Sequence, residues 1–224
     1  ITLTMGNFNT FLGYEVISPT ANFNYSTSYL FSYGPFSHTG IKADFDLGSD
    51  WSFMAAVMNP TDLTEFNATG DYGVGLQLGY AGQYLNFLSS QGAFEIDYTG
   101  GFDLSDDFFL GINAAYFDAS DDNDASFAGA ALYPQYATSE SFSIGLRAEY
   151  FTETEGGAGA IGAYDTEGDA SVFAVTLTGN YSVGDLTIKP EIRLDSASEE
   201  AFIDNDLAGS KSLSSFVLAA VYSF

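Results

Sequence analysis

Apolar and polar side chains alternate one by one along most of the chain, the period of a strand with two different faces. Between residues 92 and 104, Phe94, Ile96, Tyr98, Phe102 and Leu104 share one face, and Glu95, Asp97, Thr99 and Asp103 the other. Ile41, Ala43, Phe45 and Leu47 likewise oppose Lys42, Asp44 and Asp46. Leu186, Ile188, Ile192 and Leu194 oppose Thr187, Lys189, Glu191, Arg193 and Asp195. In 142–150 the polar face is Ser143, Gly145, Arg147 and Glu149, and in 72–80 it is Gly73, Gly75, Gln77 and Gly79. One face is thus aromatic and aliphatic, and the other is built from charges and glycine. No amphipathic helix longer than two turns emerges, and no run approaches the roughly 18 apolar residues of a spanning helix.

Turn-forming residues divide this pattern into segments. Tight turns fall near 48–50, 81–83, 105–107, 138–141 and 182–185. Longer polar connections run over 9–37, 61–71, 118–126, 153–169 and 196–210, with a shorter one near 89–92. Short and long connections alternate, which predicts about 12 strands, the first near 1–8 and the last at 213–224. Pairing near 84–90 is the point where the register could slip. The predicted fold is all-β, a transmembrane antiparallel up-and-down β-barrel, with residues 1–224 forming one domain. Short turns on one rim and long loops on the other are the asymmetry of outer-membrane barrels.

Aromatic spacing points the same way. On the apolar face, rings recur eight residues apart: Tyr72 and Tyr80, Phe94 and Phe102, Phe108 and Tyr116, Phe142 and Tyr150, Phe173 and Tyr181, Phe216 and Phe224. Eight tilted residues rise about 21 Å along a barrel axis, close to the roughly 25 Å apolar band between aromatic girdles. A soluble sandwich would have to enclose all these rings between two stacked sheets.

Composition then narrows the function. Thirty acidic and five basic residues give a net charge of −25, yet 17% of the chain is aromatic, which excludes a disordered acidic chain. Five basic residues cannot neutralise a phosphate track, so nucleic acid is excluded as a main ligand. The absence of cysteine excludes disulfides and thiolate metal sites, and no cofactor is implied. The chain starts at Ile1 without a charged and then apolar segment, which implies that an export signal has been removed or that the chain is a fragment of a longer one.

The polar face collects Lys42, Asp44, Asp46, Glu95, Asp97, Asp103, Arg147, Glu149, Lys189, Glu191, Arg193 and Asp195, the expected pore-lining set. Four of the five basic residues are therefore inward, where lipid does not meet them; on the lipid face each charge would cost several kcal/mol. A closed ring of twelve strands would have a backbone diameter of about 24 Å, enough for ions and small solutes. The expected function is passive diffusion with weak cation preference, opposed charges setting a transverse field. The alternative is a lumen closed by salt bridges, a non-conducting scaffold or partner-binding subunit. A third reading is a secreted acidic sandwich that binds carbohydrate. The connection 9–37 carries Phe11, Leu12, Tyr14, Phe23, Tyr25, Tyr29, Phe31 and Phe36, too much apolar surface for an idle rim loop. It is expected to pack into the mouth or lumen, or else against a neighbouring subunit.

The last residues, Leu218 to Phe224, resemble the closing strand of bacterial outer-membrane β-barrels, with Tyr222 and the terminal Phe224 on one face. That resemblance implies the outer membrane as location and the barrel-assembly machinery as reader of Tyr222 and Phe224. Residues Met5 to Ile17, with 25–29 and 35–40, are similar to a segment of the OmpL-like β-barrel porin family. The match covers about 60 residues. In such porins further strands usually precede this segment, so either twelve strands close the barrel or the chain is the C-terminal part of a larger one. Expected partners are outer-membrane lipid and lipopolysaccharide, small solutes and ions, and a homo-oligomer or outer-membrane protein complex.

Other motifs carry less. Asp118 to Asp124 suggests a calcium loop, but it lacks the glycine and glutamate of an EF-hand, so a solvated acidic loop is the better reading, with divalent bridges to lipopolysaccharide as its functional form. Asn67-Ala68-Thr69 fits a glycosylation sequon. His38, the single histidine, shares parity with Lys42 and Asp44 and so faces the lumen. A Ser/His site like that of an outer-membrane phospholipase would need it on the lipid side, so no enzyme is expected. Glu95 and Asp97 sit side by side on one wall, better read as solvated than as an acid–base pair.

Overall fold

The computed structural model describes residues 1–119 and 124–224. In chain order the elements are β1 (Thr2–Asn9), α1 (Tyr29–Tyr33), β2 (Ser37–Gly48), β3 (Trp51–Met58), β4 (Gly73–Tyr80), β5 (Gln83–Ser90), β6 (Ala93–Asp103) and β7 (Phe108–Asp118). They continue with β8 (Ser126–Ser139), β9 (Phe142–Thr154), β10 (Ala170–Val183), β11 (Leu186–Ala197), β12 (Phe202–Ile203), β13 (Gly209–Ser210) and β14 (Ser212–Tyr222). Among the described residues, β1 to β11 and then β14 form one antiparallel sheet in which every strand pairs with its sequence neighbour. The small β12–β13 hairpin decorates the connection to β14. The segment 84–90 is β5, paired in continuous register with β4 and β6. The sheet edges β1 and β14 are not paired with each other, so these twelve strands do not form a complete ring by themselves.

Turn chemistry sets the register. Ser49–Asp50, Ala81–Gly82 and Gln91–Gly92 each place two successive residues at positive φ, the backbone twist that two-residue hairpins require. The ladder from β10 to β11 skips from Thr178–Glu191 to Tyr181–Ile188. Pro190 lies in that gap and has no N–H to donate.

The alternation sorts the sheet into two environments. Leu3, Met5, Ile41, Val57, Leu76, Leu78, Leu85, Ile96, Leu132, Ile144, Leu177, Ile192, Leu194 and Leu218 are exposed on the outer face. So apolar a surface is untenable in water and suits hydrocarbon. The rings spaced eight apart share this face. Phe94, Phe108 and Phe142 are half-buried and the others exposed, and Trp51 packs on Tyr80 at 4.6 Å between ring centroids near the short-turn rim. The acidic loop 118–124 falls largely outside the described residues. Asn67 organises its own loop, donating to the Asp71 carbonyl and accepting from the Gly70 N–H.

The opposite face is covered by residues 10–36, which connect β1 to β2. The segment touches strands far apart in the sheet. The Gly13 N–H donates to Asp97 on β6, Thr27 accepts from Arg147 on β9 and Arg193 on β11, and Thr10 meets His38 on β2. One short segment reaches all of them only because the sheet curls around it. Its bulky side chains sit in notches left by inward glycines. A methyl group at Gly75 would overlap the Phe11 ring, at Gly111 the Tyr14 phenol, at Gly129 Leu30, and at Gly145 Phe23. The glycines of the polar face are therefore sockets for the segment. Above them, towards the long loops, Leu30, Phe117, Phe127, Phe151 and Val172 form an apolar cluster against Tyr29 and Tyr33.

Candidate functional site

The centre of the inner face is an ionic lattice between the sheet and the internal segment. Arg147, fully buried on β9, donates to Glu15 Oε1 at 2.7 Å and to the carbonyls of Ser26 and Thr27 at 2.5 and 3.0 Å. Glu15 also accepts from the Ser28 N–H and hydroxyl, and the Ser28 hydroxyl caps α1 by accepting from the Phe31 N–H. Two residues along β9, Glu149 accepts from the Tyr29 and Leu30 N–H groups that open α1. Those first-turn N–H groups have no helical partner, so a carboxylate there satisfies them. Glu191 on β11 accepts from the N–H groups of Tyr25 and Ser26 and from the Thr178 hydroxyl. Lys189 donates to the carbonyls of Pro19, Asn22 and Phe23. Arg193 pairs with Asp195 at 2.9 Å, donates to Thr27, and lies 5.1 Å from the Tyr29 ring centre. Burial, with the Asp195 charge adding to it, raises the Tyr29 phenol to about 12.

Asp97 anchors the other end. It accepts from the Gly13 N–H, Asn86 and Asn113. The remaining expected residues lie apart from this lattice. Lys42 and Asp44 pair at 2.9 Å on β2, half-buried, while Asp46 and Asp103 are exposed near the short-turn rim. Glu95 is buried near the long-loop rim. All twelve side chains lie on the inner face. The central charges do not oppose one another across open water, however. Arg147, Glu149, Lys189 and Glu191 bond the internal segment instead.

Space remains on both sides of the segment. Towards the short turns a cavity of about 560 Å³ is lined by Tyr14, Asn22, Gln135, Asn180 and Lys189. Towards the long loops a cavity of about 420 Å³ is lined by Tyr33, Asp62, Ser90, Glu95 and Phe117. Burial raises the Tyr33 phenol above its ordinary range, and the Glu95 and Asp62 carboxylates add to the rise.

Sequence reasoning missed Glu15 and Glu153. Glu153 shares the parity of Arg147 and Glu149, and following β9 to its end at Thr154 rather than ending it at 152 would have found it. It is fully buried and accepts from the Ala160 and Ile161 N–H groups and the Tyr164 hydroxyl, which folds the 155–169 loop over the rim. Glu153→Ala is expected to cost this loop about 1.5–3 kcal/mol of local stability, because hydrogen bonds to a charge are lost. Hydrogen exchange at Ala160 and Ile161 would rise; unchanged protection would contradict the anchoring role. Glu15 carries no sequence signal, since its partner is 132 residues away.

His38 is buried between the Phe8 and Phe11 rings, with Nε2 3.0 Å from the Thr10 hydroxyl. Among the described residues no group of three metal-binding side chains occurs.

A curled antiparallel sheet with an apolar outer face, ringed by aromatics and charged within, defines a membrane β-barrel. The family model described as "Putative beta-barrel porin-2, OmpL-like" matches residues 1–224, and the chain belongs to that family. The outer membrane channel DcaP of Acinetobacter baumannii is similar in fold, with a TM-score of 0.59 at 15% identity, covering 99% of this chain and 71% of that one. The NanC porin aligns over 84% of this chain and 93% of its own, with a TM-score of 0.42 at 14% identity. No curated protein sequence matches. The protein is a porin-family β-barrel of the bacterial outer membrane.

Proposed function

We propose that this porin conducts small solutes and ions by passive diffusion with a weak preference for cations, residues 10–36 narrowing the path. The observation that carries the reading is the asymmetry of free charge. The four inward cations are occupied, Arg147 and Lys189 buried against the internal segment, Arg193 in its pair with Asp195, and Lys42 in its pair with Asp44. Exposed carboxylates stand at both mouths: Asp46, Asp103, Asp106 and Asp107 on one side, Asp62 and Glu65 on the other. Fixed negative charge at a mouth concentrates cations and sets selectivity. Planar-bilayer recordings of the purified protein under a KCl gradient should give stable steps with a cation-directed reversal potential. Neutralising Asp46, Asp103, Asp106 and Asp107 together should bring that potential towards zero. An anion-directed potential, or no change in the variant, would contradict the reading.

A second reading, a non-conducting scaffold, is favoured by the density of bonds from the internal segment to β6 and β9 to β11. Absence of conductance from folded protein would select it. We further propose that Tyr222 and Phe224, exposed with their rings 6.4 Å apart, are read by the barrel-assembly machinery. The acidic loops would meet lipopolysaccharide through divalent ions, and the outer face leaves room for a homo-oligomer or a partner complex.

A further inference from the structure

Glu95 stands out among the buried charges. It projects from β6 between Leu88 on β5 and Phe117 on β7, its cross-strand neighbours. It is only 5% exposed, and among the described residues its Oε2 has no hydrogen-bond partner. The Ser90 hydroxyl on the same wall is also unpartnered. A buried carboxylate normally finds a counter-charge or donors, because leaving it bare is costly. The described residues supply none. The chain's five basic residues are all committed elsewhere: Lys42 to Asp44, Arg147 to Glu15, Lys189 to carbonyls, Arg193 to Asp195 and Lys211 to Glu199. Glu95 instead lines the cavity of about 420 Å³ that opens at the long-loop rim, with Asp62 at its edge and Tyr33 packed on Phe117 as an aromatic wall, 4.5 Å between ring centroids.

We propose that this cavity is a binding subsite for a small organic cation, its primary ammonium or guanidinium group donating to Glu95 and Ser90 and its carbon body lying against Tyr33 and Phe117. The lining selects this class. Two bare acceptors call for N–H donors, and the rings favour a cation held at their faces. A hard metal ion would want six or more oxygens converging on it, and among the described residues no three metal-binding side chains gather to hold one. The volume suits a ligand of several heavy atoms rather than a bare ion. The proposal deepens the cation-preferring porin reading by naming the solute class first captured at the outer mouth.

The test is calorimetric titration of the folded, detergent-purified protein with phenethylammonium chloride, beside 2-phenylethanol as uncharged isostere and calcium chloride. Saturable binding of the ammonium is expected, with the alcohol at least about tenfold weaker. Glu95→Gln, checked for its folded β spectrum, should lose a similar factor, and Glu140→Gln, exposed in the turn between β8 and β9 at the far rim, should lose nothing. If Glu95→Gln fails to fold, Ser90→Ala and the wild-type comparison of ammonium with alcohol still decide. Equal binding of the alcohol, tighter binding of calcium, unchanged affinity in Glu95→Gln, or no binding would each overturn the subsite. KCl conductance is recorded on the same preparation. Binding without conductance would sink the porin reading and leave the subsite; conductance without binding would sink only the subsite.

Discussion

Replacing residues 11–35 by a two-residue Asn-Gly turn is expected to raise single-channel conductance severalfold while leaving the sheet assembled. Asn9 and Ser37 are directly paired across β1 and β2, so the strands already stand at hairpin distance and need only a short turn. The removed residues contribute little to the interstrand ladder. They fill the inner space through Phe11, Tyr14, Phe23 and Leu30, seated in their glycine sockets. Once they are gone, Arg147, Glu149 and Glu191 face water, where their charge is far less costly. A folded variant with unchanged conductance would place the ion path outside the region the segment occupies. Conductance appearing only in the deletion would make the segment a seal rather than a constriction.

Arg147→Ala is the second large effect. The guanidinium holds Glu15 and two carbonyls of the internal segment at once, with no exposure of its own. Its removal leaves Glu15 buried without its cation, a loss of about 3–5 kcal/mol by the usual cost of breaking a buried pair. That loss falls on the docking of residues 10–36, because the β9 ladder is backbone-bonded on both sides. Faster hydrogen exchange at Tyr25 to Leu30, cleavage of the segment by protease, and noisier, larger currents are expected. Arg147→Lys should fall between, since an ammonium cannot reproduce the planar fork. Unchanged exchange and currents would show that the segment is held by its apolar contacts alone.

Both predictions turn on a contact pattern that sequence reading approached from one side only. Parity puts Arg147, Glu149, Lys189 and Glu191 on the inner face correctly, because a strand side chain has two choices and lipid excludes one of them for a charge. Parity cannot say what meets them there. Opposed charges across open water are the natural expectation, whereas the fold brings backbone N–H and carbonyl groups of a distant segment to those same side chains. Glu15 illustrates the limit: it lies among aromatics, and nothing local marks it as the partner of Arg147. The inward glycines were visible as a pattern in the sequence. Their purpose emerges only when Tyr14 is seen over Gly111 and Phe23 over Gly145.

The sequence by itself determined the strands, their order, the two faces and the two unlike rims, since these follow from side-chain period and turn residues, which act over a few positions. The aromatic load of residues 9–37 already pointed to the lumen or a neighbouring subunit, but only the tertiary structure decided for the interior, showed that the central charges are spent on holding the segment, and left Glu95 bare beside a cavity. Those outcomes depend on the curl of the sheet, which brings strands distant in the chain around one segment, and no local signal records which groups then meet.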